Sequence, residues 1–382
     1  MNFLIAPNAL KGSLSAPSAA HIISQSLKEI APGLTTVICP IADGGDGTLE
    51  CLVQATRGKF HEANVQGPIP SLRVNARWGV LGDGTTAVIE MAEAAGVRLL
   101  DRSQLDIGNA TTYGVGELIL HASRSGFKKI IIGLGGSATN DGGAGCARAL
   151  GLKFFDEHNK ELPDGGIHLA RLHHFEIKKY ELGIKSTEVI GLADVTNVLY
   201  GPEGTARTFA EQKGASKELV IKLDEVMKHY ASIIERDMSR PVSTIPGSGA
   251  AGGLGFGLIA FCGARIVSGI DFVLDTIRFD QMLENCDCVI TAEGMIDFQT
   301  LRGKGIEGIA RRARKFNKPV HAFVGRIHGN AGELKEKLGL TTLHQISPDN
   351  LAVELAMKQA ELLLAISIQN FFSSNFTKDT KK

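Results

Sequence analysis

The chain has 382 residues, 43% of them hydrophobic and 21% charged, and its 41 basic residues balance its 41 acidic ones. This composition is typical of a globular protein of about two domains, and the lack of a basic excess argues against a nucleic-acid partner. The six cysteines do not have the spacing of a zinc site, so we expect reduced thiols in a cytoplasmic protein.

Short apolar runs alternate with helical patterns from the first residues onward. Residues 3–6 form the first predicted strand, too short an apolar run for a signal peptide, and a helix begins at Pro17. Further predicted strands are 37–39, 130–132, 189–192, 289–291 and 320–324. Strands alternating with helices predict a largely parallel sheet covered on both faces, with ligands beyond the carboxyl ends of the strands.

One part of the chain departs from this alternation. Residues 72–80 and 86–91 are strand-like and flank a short glycine-containing turn, which predicts an antiparallel hairpin. The hairpin indicates a second domain with a mixed sheet. Because no Pro- or Ser-rich linker marks a boundary, we expect the two domains to be interleaved along the chain.

Two other stretches bear on membrane association and on disorder at the end of the chain. Residues 241–264 carry no charge, but their Gly, Ser and Pro content makes them too weakly hydrophobic to span a membrane, so no membrane partner is expected. The polar tail, residues 373–382, is predicted to be frayed.

The most informative segment is the glycine-rich loop at residues 133–145, between a strand-like run and a helix-like run. Its glycines allow tight turns and close approach of backbone N–H groups, while Ser, Thr, Asn and Asp add polar side chains. This chemistry favours binding of an anion such as a phosphate at a strand-to-helix turn. Loops of the same kind occur at 42–48, 246–253 and 292–297.

Charged side chains recur at the predicted strand ends. Phosphoryl transfer needs backbone donors around the phosphates, cations, carboxylates for Mg²⁺ and a group that orients the nucleophile. Side chains of these types are Lys11, Asp43, Asp46, Asp194, Glu293, Asp297 and Lys304. Each also has an ordinary structural interpretation, because a loop lysine is often solvated and an aspartate often caps a turn or a helix.

A dinucleotide-binding pattern is the main competing motif. Gly247, Gly249 and Gly252 have the GxGxxG spacing, and Asp271 lies about twenty residues beyond it. No convincing strand leads into Gly247, however, so the match is weak. There is no Walker A sequence around Lys304, and the histidines have neither metal-ligand nor nucleophile spacing.

Taken together, the loops resemble the type 1 glycerate kinase family. The matching segments, in the order of the family, are 6–16, 42–48, 135–143, 194–197, 200–202, 212–215, 246–255 and 291–300. The resemblance implies ATP-dependent phosphorylation of D-glycerate with Mg²⁺, most often to 2-phosphoglycerate. It also implies an α/β fold of two domains with a cleft between them, in which transfer occurs.

The same resemblance implies a discontinuous domain organisation. Residues 1–65 together with 275–382 would form a flavodoxin-like domain with a parallel sheet. Residues 66–274 would form an inserted domain with a mixed sheet. A homodimer is compatible with the sequence.

The resemblance carries over to individual positions. The expected catalytic residues are Lys11, Asp43, Asp194 and Asp297, of which Asp194 and Asp297 are also the expected Mg²⁺ ligands. The expected nucleotide or substrate contacts are Asn8, Ser13, Gly44, Gly45, Gly135, Gly136, Ser137, Thr139, Asn140, Asp141, Gly247, Gly249, Gly252, Gly253, Glu293, Gln299 and Lys304.

The chain departs from the family pattern at four positions. Asn8 stands where the family usually has Asp, Val198 where it has Pro, Ala292 where it has Gly and Met295 where it has Arg. An Asn can donate and accept hydrogen bonds but cannot take a proton. The alternatives are a glycerate 3-kinase or kinase of a related hydroxy acid, a non-catalytic sensor of glycerate or nucleotide, and a nucleotide-dependent oxidoreductase.

Overall fold

The chain divides into two units in the computed structural model, which describes residues 1–177, 186–302 and 305–376. Met1–Asp43 and Ile270–Lys382 make up unit 1, and Gly44–Gly269 makes up unit 2. The described strands are β1 (Asn2–Ile5), β2 (Thr35–Ile38), β3 (Lys59–Gln66), β4 (Arg73–Val80), β5 (Thr86–Glu90), β6 (Lys129–Gly133), β7 (Leu152–Phe155), β8 (His174–Ile177), β9 (Glu188–Ala193), β10 (Arg265–Ser268), β11 (Cys288–Ile296), β12 (Val320–Ile327) and β13 (Thr342–Gln345).

The described α-helices connect and cover these strands. They are α1 (Ala16–Ile30), α2 (Thr48–Ala55), α3 (Ala92–Ala95), α4 (Tyr113–Arg124), α5 (Ala144–Ala149), α6 (Thr205–Phe209), α7 (Lys217–Met238), α8 (Ala250–Cys262), α9 (Gly269–Thr276), α10 (Phe279–Glu284), α11 (Gly305–Lys315), α12 (Ala331–Leu338), α13 (Val353–Lys358) and α14 (Ala360–Phe376). Short 3₁₀ helices lie at Val97–Leu99, Arg102–Gln104, Gly166–Arg171, Glu211–Lys213 and Phe298–Arg302.

Unit 1 is built on a five-stranded parallel sheet in the order β2–β1–β11–β12–β13. Counted within the unit, this order is 2-1-3-4-5, the flavodoxin-like arrangement. Leu4 of β1 pairs with Val37 on one side and with Val289 on the other. The parallel, flavodoxin-like sheet expected from the sequence is therefore confirmed.

Helix α1 shows why the first βα unit forms where the sequence predicts it. Ser15 precedes the helix, and its hydroxyl oxygen accepts a hydrogen bond from the Ser18 N–H at 3.2 Å, which satisfies one of the free N–H groups of the first turn. Ile23 and Leu27 are fully buried and belong to one apolar cluster with Phe3 of β1. Helix α14 contributes to the same cluster, so both helices cover one face of the sheet.

Unit 2 is built on a six-stranded mixed sheet in the order β10–β9–β6–β5–β4–β3. Strands β3, β4 and β5 pair antiparallel, and β5, β6, β9 and β10 pair parallel. Trp78 pairs with Ile89 across the predicted hairpin. Its turn is closed by Asp83, whose carboxylate accepts hydrogen bonds from the N–H groups of Thr85 and Thr86 at 2.8 and 2.9 Å. The mixed sheet is confirmed.

The first boundary between the units differs from the expected one. The sequence placed it after residue 65, whereas the structure places it after Asp43. Strand β3 pairs antiparallel with β4 along its whole length, from Lys59 opposite Val80 to Gln66 opposite Arg73, so α2 and β3 belong to unit 2. The second boundary lies after Gly269 rather than after residue 274.

Two segments singled out in the sequence form helices. None of the described helices combines the length and apolarity needed to cross a bilayer. The uncharged stretch 241–264 forms a loop followed by α8, in which residues 250–261 are buried. Residues 373–376 continue α14 instead of fraying, and residues 377–382 lie outside the described part of the chain.

Candidate functional site

The glycine-rich loop of unit 2 begins where β6 ends and packs against a second glycine turn. The Gly135 N–H donates a hydrogen bond to the Gly44 carbonyl at 3.0 Å, and the Leu134 N–H donates to the Leu192 carbonyl of β9 at 3.0 Å. A Cβ atom on Gly135 would lie 2.3 Å from the Cα of Gly45. The two loops therefore approach closely because neither has side chains at the contact.

The third glycine-rich loop packs on the other side of the 133–145 loop. The Gly142 N–H donates to the Gly252 carbonyl at 3.0 Å, and a Cβ atom on Gly253 would lie 2.8 Å from the Cα of Gly142. Ala251, Gly252 and Gly253 have positive φ angles of 54°, 67° and 86°. Three of the predicted loops thus meet backbone to backbone, and many of their glycines are needed for that packing.

The loop after β9 joins the same assembly. The Gly249 N–H donates to the Asn197 carbonyl at 2.9 Å, and a Cβ atom on Gly247 would lie 2.7 Å from the Ile266 side chain. The loop that carries Asp194 is thereby held to the 247–253 loop. Asp194 itself is half-buried directly after the last residue of β9.

Gly252→Ala tests the packing role of these glycines. At this position an alanine Cβ would collide with the Thr139 carbonyl oxygen, in addition to adopting a left-handed backbone. We expect the free energy of unfolding, measured by urea denaturation, to fall by at least about 2 kcal/mol. Gly263→Ala is the matched control, because Gly263 has φ +65° but no described atom within 4 Å of its Cβ position. It should cost about 1 kcal/mol; equal losses in the two variants would contradict the packing role.

The accessible part of the 133–145 loop is short. Gly135 and Gly136 are half-buried, whereas Ser137, Thr139 and Asn140 are at most 8% exposed. In the described part of the chain, the Thr139 hydroxyl and the Asn140 Nδ2 have no hydrogen-bond partner. Gly136 is therefore the accessible position for direct ligand contact through a backbone N–H group, because the Gly135 N–H is already donated to the Gly44 carbonyl.

The Asp141 carboxylate stabilises the 133–145 loop through hydrogen bonds. It is 1% exposed, and its carboxylate accepts hydrogen bonds from the backbone N–H groups of Thr112, Gly143 and Gly145 at 2.8, 3.0 and 3.1 Å. The Thr112 hydroxyl donates a fourth at 2.9 Å. Burial raises the pKa of this carboxyl, and the hydrogen bonds partly offset the increase. These contacts argue against the predicted role of Asp141 in ligand binding, because its oxygens are already engaged.

A buried lysine that the sequence analysis did not select contacts the same loop. Lys213 lies in the 3₁₀ helix Glu211–Lys213, is 6% exposed, and donates from Nζ to Ser137 Oγ at 2.7 Å and to the Thr139 carbonyl at 2.9 Å. Burial lowers the pKa of Lys213 to about 7, and the charge of Asp141 partly offsets this decrease. Residues 212–215 are one of the segments that resemble the family, and this resemblance is the only sequence signal for Lys213.

Glu90 is a second buried charged residue that the sequence analysis missed. It ends β5, is 2% exposed, and accepts hydrogen bonds from the N–H groups of Gly47 and Leu49 at 3.1 and 3.2 Å, at the start of α2. Arg98 lies 3.4 Å from the other carboxylate oxygen and also pairs with Asp46 at 3.5 Å. Burial raises the pKa of Glu90 to about 7, against the opposing effect of Arg98. Glu90 therefore holds the glycine turn that precedes α2.

The raised pKa of Glu90 predicts a pH dependence of stability. Between pH 4.5 and 7 the unfolded chain loses this proton while the folded protein keeps it, so the free energy of unfolding falls as the pH rises. Glu90→Gln cannot ionise and lacks this decrease. We expect the difference in unfolding free energy between wild type and Glu90→Gln to shift by roughly 3 kcal/mol from pH 4.5 to pH 8. Urea denaturation at several pH values measures it; parallel pH curves would contradict the prediction.

In unit 1, an amide–carboxylate pair lies at the carboxyl ends of β1 and β2. Asn8 Nδ2 donates to Asp43 Oδ2 at 3.1 Å, and both residues are 3% exposed. The Asn8 Oδ1 accepts from the Ala9 N–H at 2.8 Å, which fixes the orientation of the amide. A Cβ atom on Gly305, the first residue of α11, would lie 3.0 Å from Asn8 Nδ2. The pair is thus held beside the first turn of α11.

Two other predicted residues of unit 1 stabilise local turns. The Ser13 hydroxyl donates to the Leu10 carbonyl at 2.9 Å. Asp297 Oδ1 accepts from the Thr300 N–H and hydroxyl at 3.1 and 3.3 Å, at the start of the 3₁₀ helix Phe298–Arg302. For Asp297 the capping interpretation that the sequence left open is therefore observed.

Glu293 and Lys11 lie near the carboxyl end of β11. Glu293 is 8% exposed within β11, and a Cβ atom on Gly294 would lie 3.1 Å from the backbone nitrogen of Lys11. The exposed Lys11 is thus close to β11. Lys304 and the side chain of Gln299 lie outside the described residues.

The described residues bear on two cofactors considered from the sequence, a metal ion and a dinucleotide. Among the described residues there is no group of three or more His, Cys, Asp and Glu side chains that could hold a metal ion by itself. The described residues 239–249 contain no strand, so Gly247 lacks the strand that a dinucleotide-binding loop follows. The oxidoreductase alternative therefore loses its structural support.

Comparison with known proteins shows similarity over nearly the whole chain. Residues 3–374 match the model of the glycerate kinase family. The chain is 43% identical to the glycerate 2-kinase of Escherichia coli K12 over 346 residues, which cover 91% of this chain and 89% of the relative. It is 37% identical to the glycerate kinase of Halalkalibacterium halodurans, with 99% of each chain covered.

A solved structure is similar over the same length. The chain described as glycerate kinase 2 from Salmonella typhimurium LT2 has a TM-score of 0.80 and 39% sequence identity, covering 98% of each chain. Sequence and fold therefore agree over almost all residues, and the chain belongs to the glycerate kinase family.

Proposed function

We propose that this protein transfers the γ-phosphoryl group of ATP directly to a hydroxyl of D-glycerate, giving 2-phosphoglycerate. The observation that carries the proposal is the family match over residues 3–374, together with a relative named glycerate 2-kinase at 43% identity. The site residues support it, because polar and charged side chains follow the strands at the ends where such sheets bind ligands.

The roles we assign follow from exposure and partners. The N–H group of the half-buried Gly136 binds a phosphate or carboxylate oxygen, and the exposed Lys11 neutralises negative charge as the phosphoryl group moves. The remaining glycines, at 44–45 and 247–253, hold the loops in place rather than contact the ligand. Asp43, oriented by Asn8, and Asp194 are the candidates for orienting the attacking hydroxyl.

Magnesium fits the carboxylates present. Mg²⁺ is usually held by one or two protein carboxylates together with the substrate phosphates, so a preformed protein cage is not required. Asp194 is half-buried at a strand end, a position that suits this role. Asp297, the other expected ligand, also caps a turn through one oxygen. When bound with ATP, the ion neutralises charge on the phosphates.

An ADP-release assay followed by phosphorus NMR of the product tests the proposed reaction. The purified protein is incubated with Mg-ATP and a panel of small hydroxy acids that includes D-glycerate and L-glycerate, and ADP release is followed. Phosphorus NMR then distinguishes the 2-phosphate from the 3-phosphate. ADP release with D-glycerate and a 2-phosphate signal is the expected result.

Other outcomes revise the proposal in defined ways. A 3-phosphate signal would make the protein a 3-kinase, and activity with another acid alone would change the substrate. Ligand-induced thermal stabilisation without ADP release from any acid would indicate a non-catalytic sensor, the interpretation that Asn8, Ala292 and Met295 motivate.

A further inference from the structure

Lys213 is the buried titratable group most closely associated with the glycine-rich loop. Its side chain crosses from the 3₁₀ helix Glu211–Lys213 to residues 74 and 76 positions earlier in the chain, and it is 6% exposed. Burying an amine is unfavourable unless its hydrogen bonds are satisfied. Two hydrogen bonds of the Lys213 amine are satisfied, one by Ser137, which directly follows Gly136, and one by Thr139, two residues further on.

In the hydrogen bond between Lys213 and Ser137, the charged lysine can only be the donor. An ammonium group has three N–H donors and no acceptor, so Ser137 Oγ must accept the 2.7 Å hydrogen bond from a charged Lys213. The Ser137 O–H is then free to donate in another direction. The Thr139 carbonyl takes a second N–H of the same amine at 2.9 Å, which fixes the position of Nζ.

We propose that Lys213 is a positioning residue whose ammonium group keeps the Ser137 hydroxyl as a hydrogen-bond donor to a phosphate or carboxylate group bound at Gly136. The proposal rests on the proposed kinase function for the identity of that anion. Lys213 acts through Ser137 and does not itself contact the substrate.

The direction in which the Ser137 hydroxyl donates depends on the protonation state of Lys213. A neutral amine has a lone pair and can accept the Ser137 hydrogen, which turns the donor away from the anion. Because the pKa of Lys213 is about 7, both states are reached near neutral pH. Asp141 is the charged group that acts on Lys213; Tyr230 and Cys146, which interact with Asp141, have pKa values well above their usual ones and stay neutral.

The test compares pH profiles of kcat/KM for D-glycerate and Mg-ATP in four proteins. In the wild type we expect kcat/KM to fall above a midpoint near the pKa of free Lys213, about 7, and to level off at the value of Ser137→Ala. Ser137→Ala should lower kcat/KM by about 10- to 100-fold at pH 6.5 and abolish the alkaline decrease. Lys213→Met should do the same, and Lys217→Met, on the exposed first residue of α7, should match the wild type.

A second measurement tests the proposal even if Lys213→Met does not fold. The titration of Lys213 is followed by NMR of ¹³C,¹⁵N-lysine-labelled protein, assigned with the variant Lys213→Arg. Mg-ATP or D-glycerate should raise its midpoint in the wild type, and the shift should be absent in Ser137→Ala.

The results separate this proposal from the proposed function. An alkaline decrease that persists in Ser137→Ala, or an unchanged Lys213 midpoint with ligand in an active wild type, would overturn the role of Lys213. A wild type that phosphorylates no glycerate at any pH would instead overturn the proposed function.

Discussion

Replacing Asp194 with Asn should lower kcat for glycerate phosphorylation by two to four orders of magnitude, while the fold stays intact. Asp194 follows the last residue of β9, next to the strand that carries the 133–145 loop, and is half-buried. The amide has nearly the shape of the carboxylate but no charge to offer to a metal ion or to a hydroxyl proton. Steady-state kinetics with Mg-ATP and D-glycerate measures the loss.

The control for this prediction is Asp101→Asn, in the same unit. Asp101 is exposed at the start of the 3₁₀ helix Arg102–Gln104, where Asn is an equally good cap. Both variants should keep the melting temperature of the wild type, and only Asp194→Asn should lose turnover. Turnover close to that of the wild type in Asp194→Asn would remove this residue from the mechanism.

Asn8→Asp should destabilise the protein strongly at neutral pH, although it restores the residue usual in the family. The new carboxylate would lie about 3 Å from Asp43 Oδ2, where the amide now donates, and both positions are 3% exposed. Two buried carboxylates at this distance cannot both be charged without a partner, so the pKa of one must rise. We expect unfolding free energy to fall by roughly 3 kcal/mol at pH 8.

The pH dependence identifies the cause. A carboxyl whose pKa is raised in the folded state costs nothing below its unfolded pKa, and the cost appears as the pH rises through the folded value. The loss in Asn8→Asp should therefore shrink towards pH 4, and Mg²⁺ should reduce it at pH 8 if the cation binds between the carboxylates. Asn330→Asp, at the N-cap of α12, is the control and should leave stability nearly unchanged. A loss that does not vary with pH would contradict repulsion between carboxylates.

Interactions between residues close in sequence were largely predictable. Apolar runs bounded by glycine or acidic residues predicted β1, β6, β9, β11 and β12, because buried parallel strands require continuous apolar residues. The hairpin of β4 and β5 was predictable from its alternation and turn. The glycine content of the loops also indicated close backbone approach, although the approach at Gly142 and Gly252 is to other loops rather than to a phosphate.

The partners of the buried polar groups depend on the tertiary structure. Lys213 meets Ser137 across 76 residues and Asn8 meets Asp43 across 35, so no local pattern connects them. Burial raises the pKa of Glu90 and lowers that of Lys213, and burial depends on which strands become neighbours. Local sequence governs backbone angles and which face of an element is apolar, whereas the environment of a charge depends on segments distant in the chain. For that reason the glycine-rich loop was recognisable from its residues, but the lysine behind it was not.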